Sequence, residues 1–187
     1  MTASSEVSRQ AERECVLRAQ AGDTEAFRRL VTAYERKLLY FILRFISDAD
    51  RALDLLQDVW LTVFQRLDQL RSAAAFRVWV YQIAHDKVVS WIRRQRRERE
   101  VYEELQDSAE KATPDDGEAE FDNAELVHRA LPALSQEHRE VMVLRFLEDM
   151  SLEEIAEALR CRPGTVKSRL HYARLALRKE VERLMHG

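Results

Sequence analysis

The sequence has 187 residues, of which 46% are hydrophobic and 34% are charged, and its formal net charge is −3. This length and composition predict a soluble globular protein with one or two compact domains. Only four glycines and three prolines are present, which argues against strand-and-turn architectures and favours an all-α fold. No apolar stretch approaches the roughly 20 residues of a membrane span, and the N-terminus lacks the apolar run of a signal peptide. The two cysteines are far apart in sequence, so we expect no disulfide and predict a cytoplasmic location without membrane insertion.

The first 97 residues show a succession of amphipathic helical patterns. The first pattern ends near Gly22, and the second begins near Asp23 or Thr24 and repeats apolar residues at i, i+3, i+4 and i+7. A third pattern follows Ser47–Asp48, and a fourth follows a short break at Arg71–Ala74. Their apolar positions are Phe27, Leu30, Val31, Tyr34, Leu38, Phe41, Ile42 and Phe45, then Leu55, Leu56, Val59, Trp60, Val63, Phe64 and Leu67, then Phe76, Trp79, Val80, Ile83 and Val88. Four helices with short connections predict a helical bundle.

The fourth helical pattern becomes strongly basic toward its end. From Arg77 to Arg99 there are seven Lys or Arg residues, two acidic residues and three aromatic ones, Trp79, Tyr81 and Trp91. Clustered arginines bind phosphates, and nearby aromatic rings can stack on bases released from a duplex, at about 1–3 kcal/mol per base. The pattern fits a simpler interpretation equally well, in which Trp79 packs into the core and the arginines complement the helix dipole.

An acidic segment without helical periodicity follows. Between Glu98 and Glu125 there are twelve acidic residues and two basic ones, so the rest of the chain carries net positive charge. The segment includes Thr113-Pro114-Asp115-Asp116-Gly117, and this composition is typical of a flexible linker. The predicted organisation is therefore an N-terminal helical domain over 1–97, an acidic linker over 98–122, and a C-terminal domain over 123–187.

The C-terminal domain contains a helix-turn-helix pattern. Ser151 and Glu154 form a capping box that starts one helix, and Pro163 suits the first position of the next. The second helix buries Val166, Leu170, Ala173 and Leu177 on one stripe. A helical wheel then points Gly164, Ser168, His171 and Tyr172 outward, flanked by Thr165, Lys167, Arg169 and Arg174. A polar set surrounded by cations suits readout of bases in the major groove together with phosphate anchoring. An αα-hairpin with a solvated basic face is the alternative.

Together these segments resemble the extracytoplasmic-function (ECF) sigma factors, the shortest members of the bacterial sigma family. Asp54–Phe64 (DLLQDVWLTVF) resembles the stretch that docks on a coiled coil of the largest polymerase subunit. Phe76–Arg97 resembles the helix and preceding loop that open and read the promoter −10 element. Pro163–Arg174 resembles the recognition helix for the −35 element. The resemblance covers roughly residues 20–97 and 123–182.

The resemblance implies a sigma factor that binds core RNA polymerase and directs promoter-specific transcription initiation. It implies neither a catalytic site nor a metal or cofactor. The residues implied in polymerase binding are Asp54, Gln57, Asp58 and Leu61. Those implied in −10 DNA binding are Arg71, Phe76, Trp79, Arg93, Arg94, Arg96 and Arg97. Those implied in −35 DNA binding are Gly164, Thr165, Lys167, Ser168, Arg169, His171, Tyr172 and Arg174.

Two positions depart from the family pattern. The family commonly has Asn where Asp86 stands and Asp where Ser90 stands. An acidic residue beside a nucleic-acid path is unfavourable, so the −10 preference of this chain is left open.

The resemblance also implies two further features of regulation. The acidic linker would thread a positively charged channel of the polymerase and partly imitate RNA, although an inert spacer is an alternative. An anti-sigma factor that clamps both domains is the expected regulatory partner, and phosphorylation or another partner protein could also regulate the chain.

Two other classes of protein explain the sequence less well. A helix-turn-helix regulator with an N-terminal sensing bundle would bind duplex DNA without polymerase, but it leaves Asp54–Phe64 unexplained. An enzyme is disfavoured because the five histidines lack metal-binding spacing, and no phosphate-cradling glycine loop or nucleophile elbow occurs.

Overall fold

Capping residues set the helix boundaries in the N-terminal part of the computed structural model, which describes residues 3–103 and 129–186. Gly22 has a φ of +91°, a left-handed conformation that costs glycine little, and it ends the first helix as predicted. The Asp23 carboxylate accepts hydrogen bonds from the backbone N–H groups of Glu25 and Ala26, at 2.9 and 3.0 Å. Asp48 caps the third helix in the same way. These caps satisfy N–H groups that have no partner within their own helix.

Four helices form the N-terminal unit, which we define as residues 3–103. They are α1 (Ala3–Gln20), α2 (Thr24–Leu43), α3 (Ala49–Arg66) and α4 (Phe76–Glu103). Their apolar faces pack together around a core whose fully or almost fully buried side chains include Leu30, Leu38, Phe41, Ile42, Val59, Val63, Phe76, Val80, Tyr81 and Val88. The predicted helical bundle is therefore present.

The end of α4 differs from the prediction, which closed the N-terminal domain at residue 97. The helix continues without a break to Glu103. Residues 98–103 contain neither glycine nor proline, and Glu98 accepts a hydrogen bond from Arg94 one turn earlier, at 2.8 Å. Such a pair, four residues apart, supports a helix even in a highly charged segment. The rest of the predicted linker, residues 104–122, lies outside the described residues.

The C-terminal unit, which we define as residues 129–186, contains three α-helices that lie entirely within it. They are α5 (Gln136–Phe146), α6 (Leu152–Ala158) and α7 (Pro163–His186). The capping box is present: the Ser151 hydroxyl accepts from the Glu154 N–H at 3.1 Å, and the Glu154 carboxylate accepts from the Ser151 N–H at 2.8 Å. The helices enclose Val141, Val143, Leu144, Ile155, Val166, Leu170 and Ala173. The sequence prediction of a helix-turn-helix unit agrees with these elements.

The turn between α6 and α7 holds an arginine in a left-handed conformation. Arg160 has a φ of +50°, and the Cys161 N–H donates to the Ala156 carbonyl at 2.9 Å, which closes the end of α6. Glycine is the usual residue at such a position, since a side chain there raises the backbone energy by about 1 kcal/mol. Both Cys15 and Cys161 are free thiols.

The two units pack against each other, chiefly through α4 and α6. The described helices therefore form one continuous body. Within the described ranges all regular structure is helical, which confirms the predicted all-α class.

Leu38 and Leu17 offer a matched test of this core. Leu38 is completely buried, whereas Leu17 is 59% exposed. We expect Leu38→Ala to lower the free energy of unfolding by about 2–5 kcal/mol, because the cavity in a packed core cannot fully close. Leu17→Ala should change it by less than about 0.5 kcal/mol. Urea denaturation followed by circular dichroism measures both, and equal losses would contradict the described packing.

Candidate functional site

One face of α3 exposes carboxylates beside large apolar side chains. Asp54 and Asp58 have exposed side chains, and Gln57 on the same face is also exposed. Leu61 lies among them with 55% of its surface accessible. All four polymerase-binding residues named in the sequence analysis thus lie on one accessible surface, which we call the α3 face.

Two further apolar residues extend the α3 face, and their exposure was not predicted from the sequence. Leu53 is exposed, and Phe64, which was predicted to lie on the buried stripe, is 66% exposed. The Phe64 ring contacts the Phe27 ring edge-on, with centroids 5.4 Å apart. A surface of several large apolar residues in one place is a recognised sign of a protein-binding site.

The second half of α4 exposes a row of cations. Arg93, Arg94, Arg96 and Arg97 are all exposed. The Arg94 guanidinium pairs with Glu98, so part of its charge is already compensated. The four arginines place cationic side chains on this part of the helix, as phosphate binding requires.

The aromatic residues of α4 are mostly inside the core, which changes the prediction for the −10 site. Phe76 is completely buried, with its ring centroid 5.5 Å from that of Tyr34, and Tyr81 is completely buried as well. Neither ring can contact a flipped base, because both rings lie on the apolar face of α4 and pack against α2. Trp79 is partly buried and packs on Phe76 at 6.2 Å. Of the loop residues before α4, Arg71 is exposed.

The outer face of α7 presents a polar set. Gly164, Lys167, Ser168, His171 and Tyr172 are exposed, while Val166, Leu170 and Ala173 anchor the opposite face in the core. The rings of His171 and Tyr172 meet edge-on with centroids 5.3 Å apart. This is the arrangement that a recognition helix needs, with one face fixed and the other open to a groove.

Three flanking residues of α7 already have partners within the C-terminal unit, two through their side chains and one through its backbone. Arg169 lies 3.6 Å from the Glu137 carboxylate, and the Arg174 guanidinium lies over the ring of Phe146, 5.3 Å from its centroid. The third flanking residue, Thr165, is partly buried and accepts a hydrogen bond from the Ser168 hydroxyl at 3.0 Å through its carbonyl. The contacts of Arg169 and Arg174 with α5 help to orient the recognition helix, and the two cations remain close to its outer face.

Charged residues at the contact between the two units form a second cluster that the sequence analysis did not find. Glu148, from the turn after α5, is almost completely buried, and Lys37 lies 3.8 Å from its carboxylate. Burial raises the pKa of Glu148, and this outweighs the opposing influence of Tyr81, Lys37 and Arg77. The Tyr81 hydroxyl faces the same carboxylate but makes no hydrogen bond of good geometry among the described residues.

Glu154 connects this cluster to the capping box. One of its oxygens accepts from the Ser151 N–H, and the other lies 2.5 Å from the Arg77 guanidinium. Partial burial alone would raise the pKa of Glu154, but the Ser151 N–H and the Arg77 charge together lower it. The carboxylate is therefore held in its charged form by groups from both units.

Neither a metal cluster nor a membrane span is found in the described ranges. Within residues 3–103 and 129–186, no three His, Cys, Asp or Glu side chains are placed to hold a metal ion together. None of the helices described there is both long enough and apolar enough to cross a membrane.

Two family models match the chain, and they cover most of its length. Residues 30–98 match sigma-70 region 2, and residues 124–177 match sigma-70 region 4. The first range contains the α3 face and the basic part of α4, and the second contains the helix-turn-helix.

Curated relatives align over almost their entire length. The RNA polymerase sigma-H factor of Pseudomonas aeruginosa is 29% identical over 189 residues, which cover 96% of this chain and 98% of the relative. The ECF RNA polymerase sigma-E factor of Escherichia coli K12 is 30% identical over 180 residues, covering 91% and 94%. The ECF sigma factor SigW of Bacillus subtilis is 26% identical, covering 90% and 96%.

Solved structures show the same fold. A sigma factor RpoE from Bartonella quintana, in complex with the anti-sigma factor NepR, matches with a TM-score of 0.67 and 25% identity, over 83% of this chain and 96% of that one. CnrH in complex with the cytosolic domain of CnrY matches with a TM-score of 0.64 and 24% identity, over 92% and 98%. With both family regions in order and a relative 30% identical over nearly its full length, the chain belongs to the ECF sigma factors, which direct RNA polymerase to initiate transcription.

Proposed function

We propose that the two units of this sigma factor divide the work of promoter recognition. The N-terminal unit binds core RNA polymerase through the α3 face and contacts the −10 element through the basic end of α4. The C-terminal unit reads the −35 element with α7. The factor acts in the cytoplasm, and the polymerase supplies the catalytic chemistry while the factor itself supplies none.

The α3 face supports the polymerase contact and carries the proposal. A protein that only bound DNA would have no use for Leu53, Leu61 and Phe64 exposed beside carboxylates. Large apolar residues ringed by charges provide affinity through burial, and the charges orient the partner. Asp54 and Asp58 would then face basic side chains on the coiled coil of the largest polymerase subunit.

The exposed arginines of α4 support the −10 contact. Arg93, Arg94, Arg96 and Arg97 would bind phosphates, with Arg71 at the loop before the helix as an additional cation. Trp79 is the one aromatic residue of the predicted −10 set that retains accessible surface. It would border the bases of the opened strand, whereas the buried Phe76 would support Trp79 from below.

The recognition helix supports the −35 contact. Lys167, Ser168, His171 and Tyr172 can reach base edges in the major groove. Gly164 is exposed and has no side chain, so the start of the helix can approach the DNA closely. Thr165, Arg169 and Arg174 flank this set and would anchor the sugar-phosphate backbone.

The family suggests a regulatory partner and a role for the linker. An anti-sigma factor is the expected regulator, because a similar sigma factor has been solved in complex with an anti-sigma factor. The acidic segment 98–122 would connect the two reading units and enter the positively charged channel of the polymerase.

Leu61 and Leu17 provide a matched test of polymerase binding, because both leucines are exposed to a similar degree, 55% and 59%. Leu61→Arg places a cation where we expect a basic partner, so the Kd for core polymerase should rise at least about tenfold, as for a residue near the centre of an interface. Leu17→Arg, on α1, should leave the Kd unchanged. Fluorescence anisotropy of the labelled chain against core polymerase measures both constants. Equal Kd values for the two variants would rule out the α3 face as the polymerase contact.

The arginines of α4 can be tested by the salt dependence of binding to single-stranded DNA. Arg93→Ala combined with Arg97→Ala should make the slope of log K against log salt concentration shallower by about 1.4. Each phosphate contact with a single strand contributes about 0.7 to this slope through counterion release, and the double variant loses two contacts. Arg28→Ala combined with Arg29→Ala removes two exposed arginines from α2 and serves as the control, with an unchanged slope expected. If both pairs reduce the slope alike, the binding is a general charge effect and the assignment to α4 fails.

A further inference from the structure

Gln20, the last residue of α1, contacts the segment of the chain that precedes α4. Its side-chain amide donates to the Leu67 carbonyl and to the Leu70 carbonyl, each at 2.8 Å. These two carbonyls lie 47 and 50 residues further along the chain. We define residues 67–75 as the α3–α4 segment. Gln20 therefore joins the end of the first helix to the beginning of this segment.

The chemistry of the partners determines which atom of the Gln20 amide faces the segment. A carbonyl oxygen can only accept a hydrogen bond, so the NH₂ group of Gln20 must point toward Leu67 and Leu70. That group has two N–H donors, one for each carbonyl. The side chain is partly buried, so water competes less for these hydrogen bonds than it would at an open surface.

The α3–α4 segment contains little regular structure of its own. It consists of two 3₁₀ helices of three residues each, Leu67–Gln69 and Ala73–Ala75, and of Leu70, Arg71 and Ser72 between them. Leu70 and Ser72 have extended backbones. Helices this short have poorer hydrogen-bond geometry than an α-helix. The segment therefore depends on contacts with other elements for its shape.

Helix α1 is anchored firmly enough to give Gln20 a fixed position. Val16, one turn before Gln20, is completely buried in the core of the N-terminal unit. The Tyr34 hydroxyl on α2 donates to the Glu12 carboxylate on α1 at 2.5 Å. Helix α1 packs against α2 and also contacts both short helices of the α3–α4 segment. The end of α1 is therefore held on two sides.

An ion pair stabilises the turn that follows Gln20. The Arg18 guanidinium donates to the Asp23 carboxylate at 2.9 and 2.6 Å, and the Asp23 N–H donates to the Arg18 carbonyl at 3.0 Å. Gly22 supplies the left-handed conformation that this turn requires. The chain thus reverses direction directly after Gln20 through contacts that are independent of the α3–α4 segment.

The α3–α4 segment leads directly into the surface that we propose for −10 recognition. Arg71 and Ser72 are exposed, and α4 begins immediately after Ala75, with Trp79 in its first turn. A backbone that is already ordered loses less conformational entropy when it binds a partner. The shape of the segment before binding therefore affects how well it can recognise an opened DNA strand.

We propose that Gln20 is a positioning residue for −10 recognition, which holds the Leu67 and Leu70 carbonyls so that Arg71 and Ser72 meet the opened strand in one fixed arrangement. This inference rests on the proposed −10 contact, whereas the support that Gln20 gives to the segment does not. Gln20 lies before residues 30–98, which match sigma-70 region 2, so it acts on that region from outside the matched range. It acts through the residues that it positions and does not itself read a base.

Hydrogen exchange of the full-length chain, without polymerase or DNA, tests the support of the segment. Gln20→Met keeps the length of the side chain and removes both N–H donors. We expect the backbone amides of residues 67–75 to exchange at least about fivefold faster, because two hydrogen bonds to the segment are lost. Gln10→Met, at an exposed position of the same helix, is the matched control and should leave this exchange unchanged. Mass spectrometry of the peptides that cover the segment measures both variants.

The role in recognition is tested by discrimination between two short, fluorescently labelled single strands. One strand carries the −10 sequence of a promoter mapped from the 5′ ends of transcripts made with this chain, and the other carries the same bases in scrambled order. The full-length chain is assembled with core polymerase, and the ratio of the two Kd values gives the discrimination. Gln20→Met should lower this ratio at least about fivefold, whereas Gln10→Met should preserve it. A loss of folded protein changes both Kd values alike and leaves the ratio unaffected.

Two further substitutions separate the N–H donors of Gln20 from the size of its side chain. Gln20→Lys ends in an ammonium group with three N–H donors on a side chain one bond longer, and it should recover most of the discrimination. Gln20→Glu directs a carboxylate toward two carbonyl oxygens, so it should lose at least as much discrimination as Gln20→Met.

The outcomes separate this inference from the proposed function. Unchanged exchange in Gln20→Met would overturn the support of the segment, and a lysine variant that discriminates no better than the methionine variant would overturn the assignment to the N–H donors. Faster exchange with full discrimination would overturn the positioning role and leave the −10 contact intact. An unaltered chain that binds both strands equally would refute the proposed −10 contact itself, and the role of Gln20 in recognition with it.

Discussion

Helix α4 takes part in three features of the structure: the core of the N-terminal unit, the exposed row of arginines and the contact with the C-terminal unit. Its first half buries Phe76, Val80 and Tyr81 against α2 and α3, and this packing fixes its direction. Its second half extends beyond that core and carries exposed arginines. Arg77, at its start, and Asp86, before its middle, contact the C-terminal unit. One continuous helix therefore joins the core, the cationic surface and the contact between the units.

The contact between the units combines apolar packing with charged groups. One hydrophobic core includes buried residues of both units, and ion pairs and hydrogen bonds to carbonyls also lie at the contact. Glu148 is a buried charged group of this contact, and a carboxylate in a dry environment is costly unless cations stay close to it. Lys37 supplies such a charge at 3.8 Å, and Arg77 adds a second.

Much of the fold could be predicted from local signals in the sequence. Gly22, Asp23 and Asp48 mark helix ends through backbone chemistry that involves only neighbouring residues, and the Ser151–Glu154 capping box does the same. The outward face of α7 followed from periodicity alone. By contrast, Phe64 was predicted to lie in the core and is exposed. The apolar face of α3 is wider than the surface that α2 covers, and Phe64 lies at its edge.

The remaining features depend on contacts between distant parts of the chain, which periodicity cannot reveal. Phe76 stands at the start of the segment that resembles the −10 reading helix, and we expected it to contact DNA. It lies in the core because α2 packs over it. The ion pairs of Arg77 and Asp86 join residues more than 70 positions apart in sequence. The acidic residue at position 86 looked unfavourable for DNA binding, and its explanation required the position of Arg160.

Transcription by purified core bacterial RNA polymerase on genomic DNA, with and without this protein, tests the central claim most directly. Sequencing the 5′ ends of the transcripts should reveal start sites that depend on the protein and that share two conserved upstream elements. Transcripts that begin at the same places without the protein, or a protein that binds duplex DNA tightly while leaving the polymerase unaffected, would contradict the account.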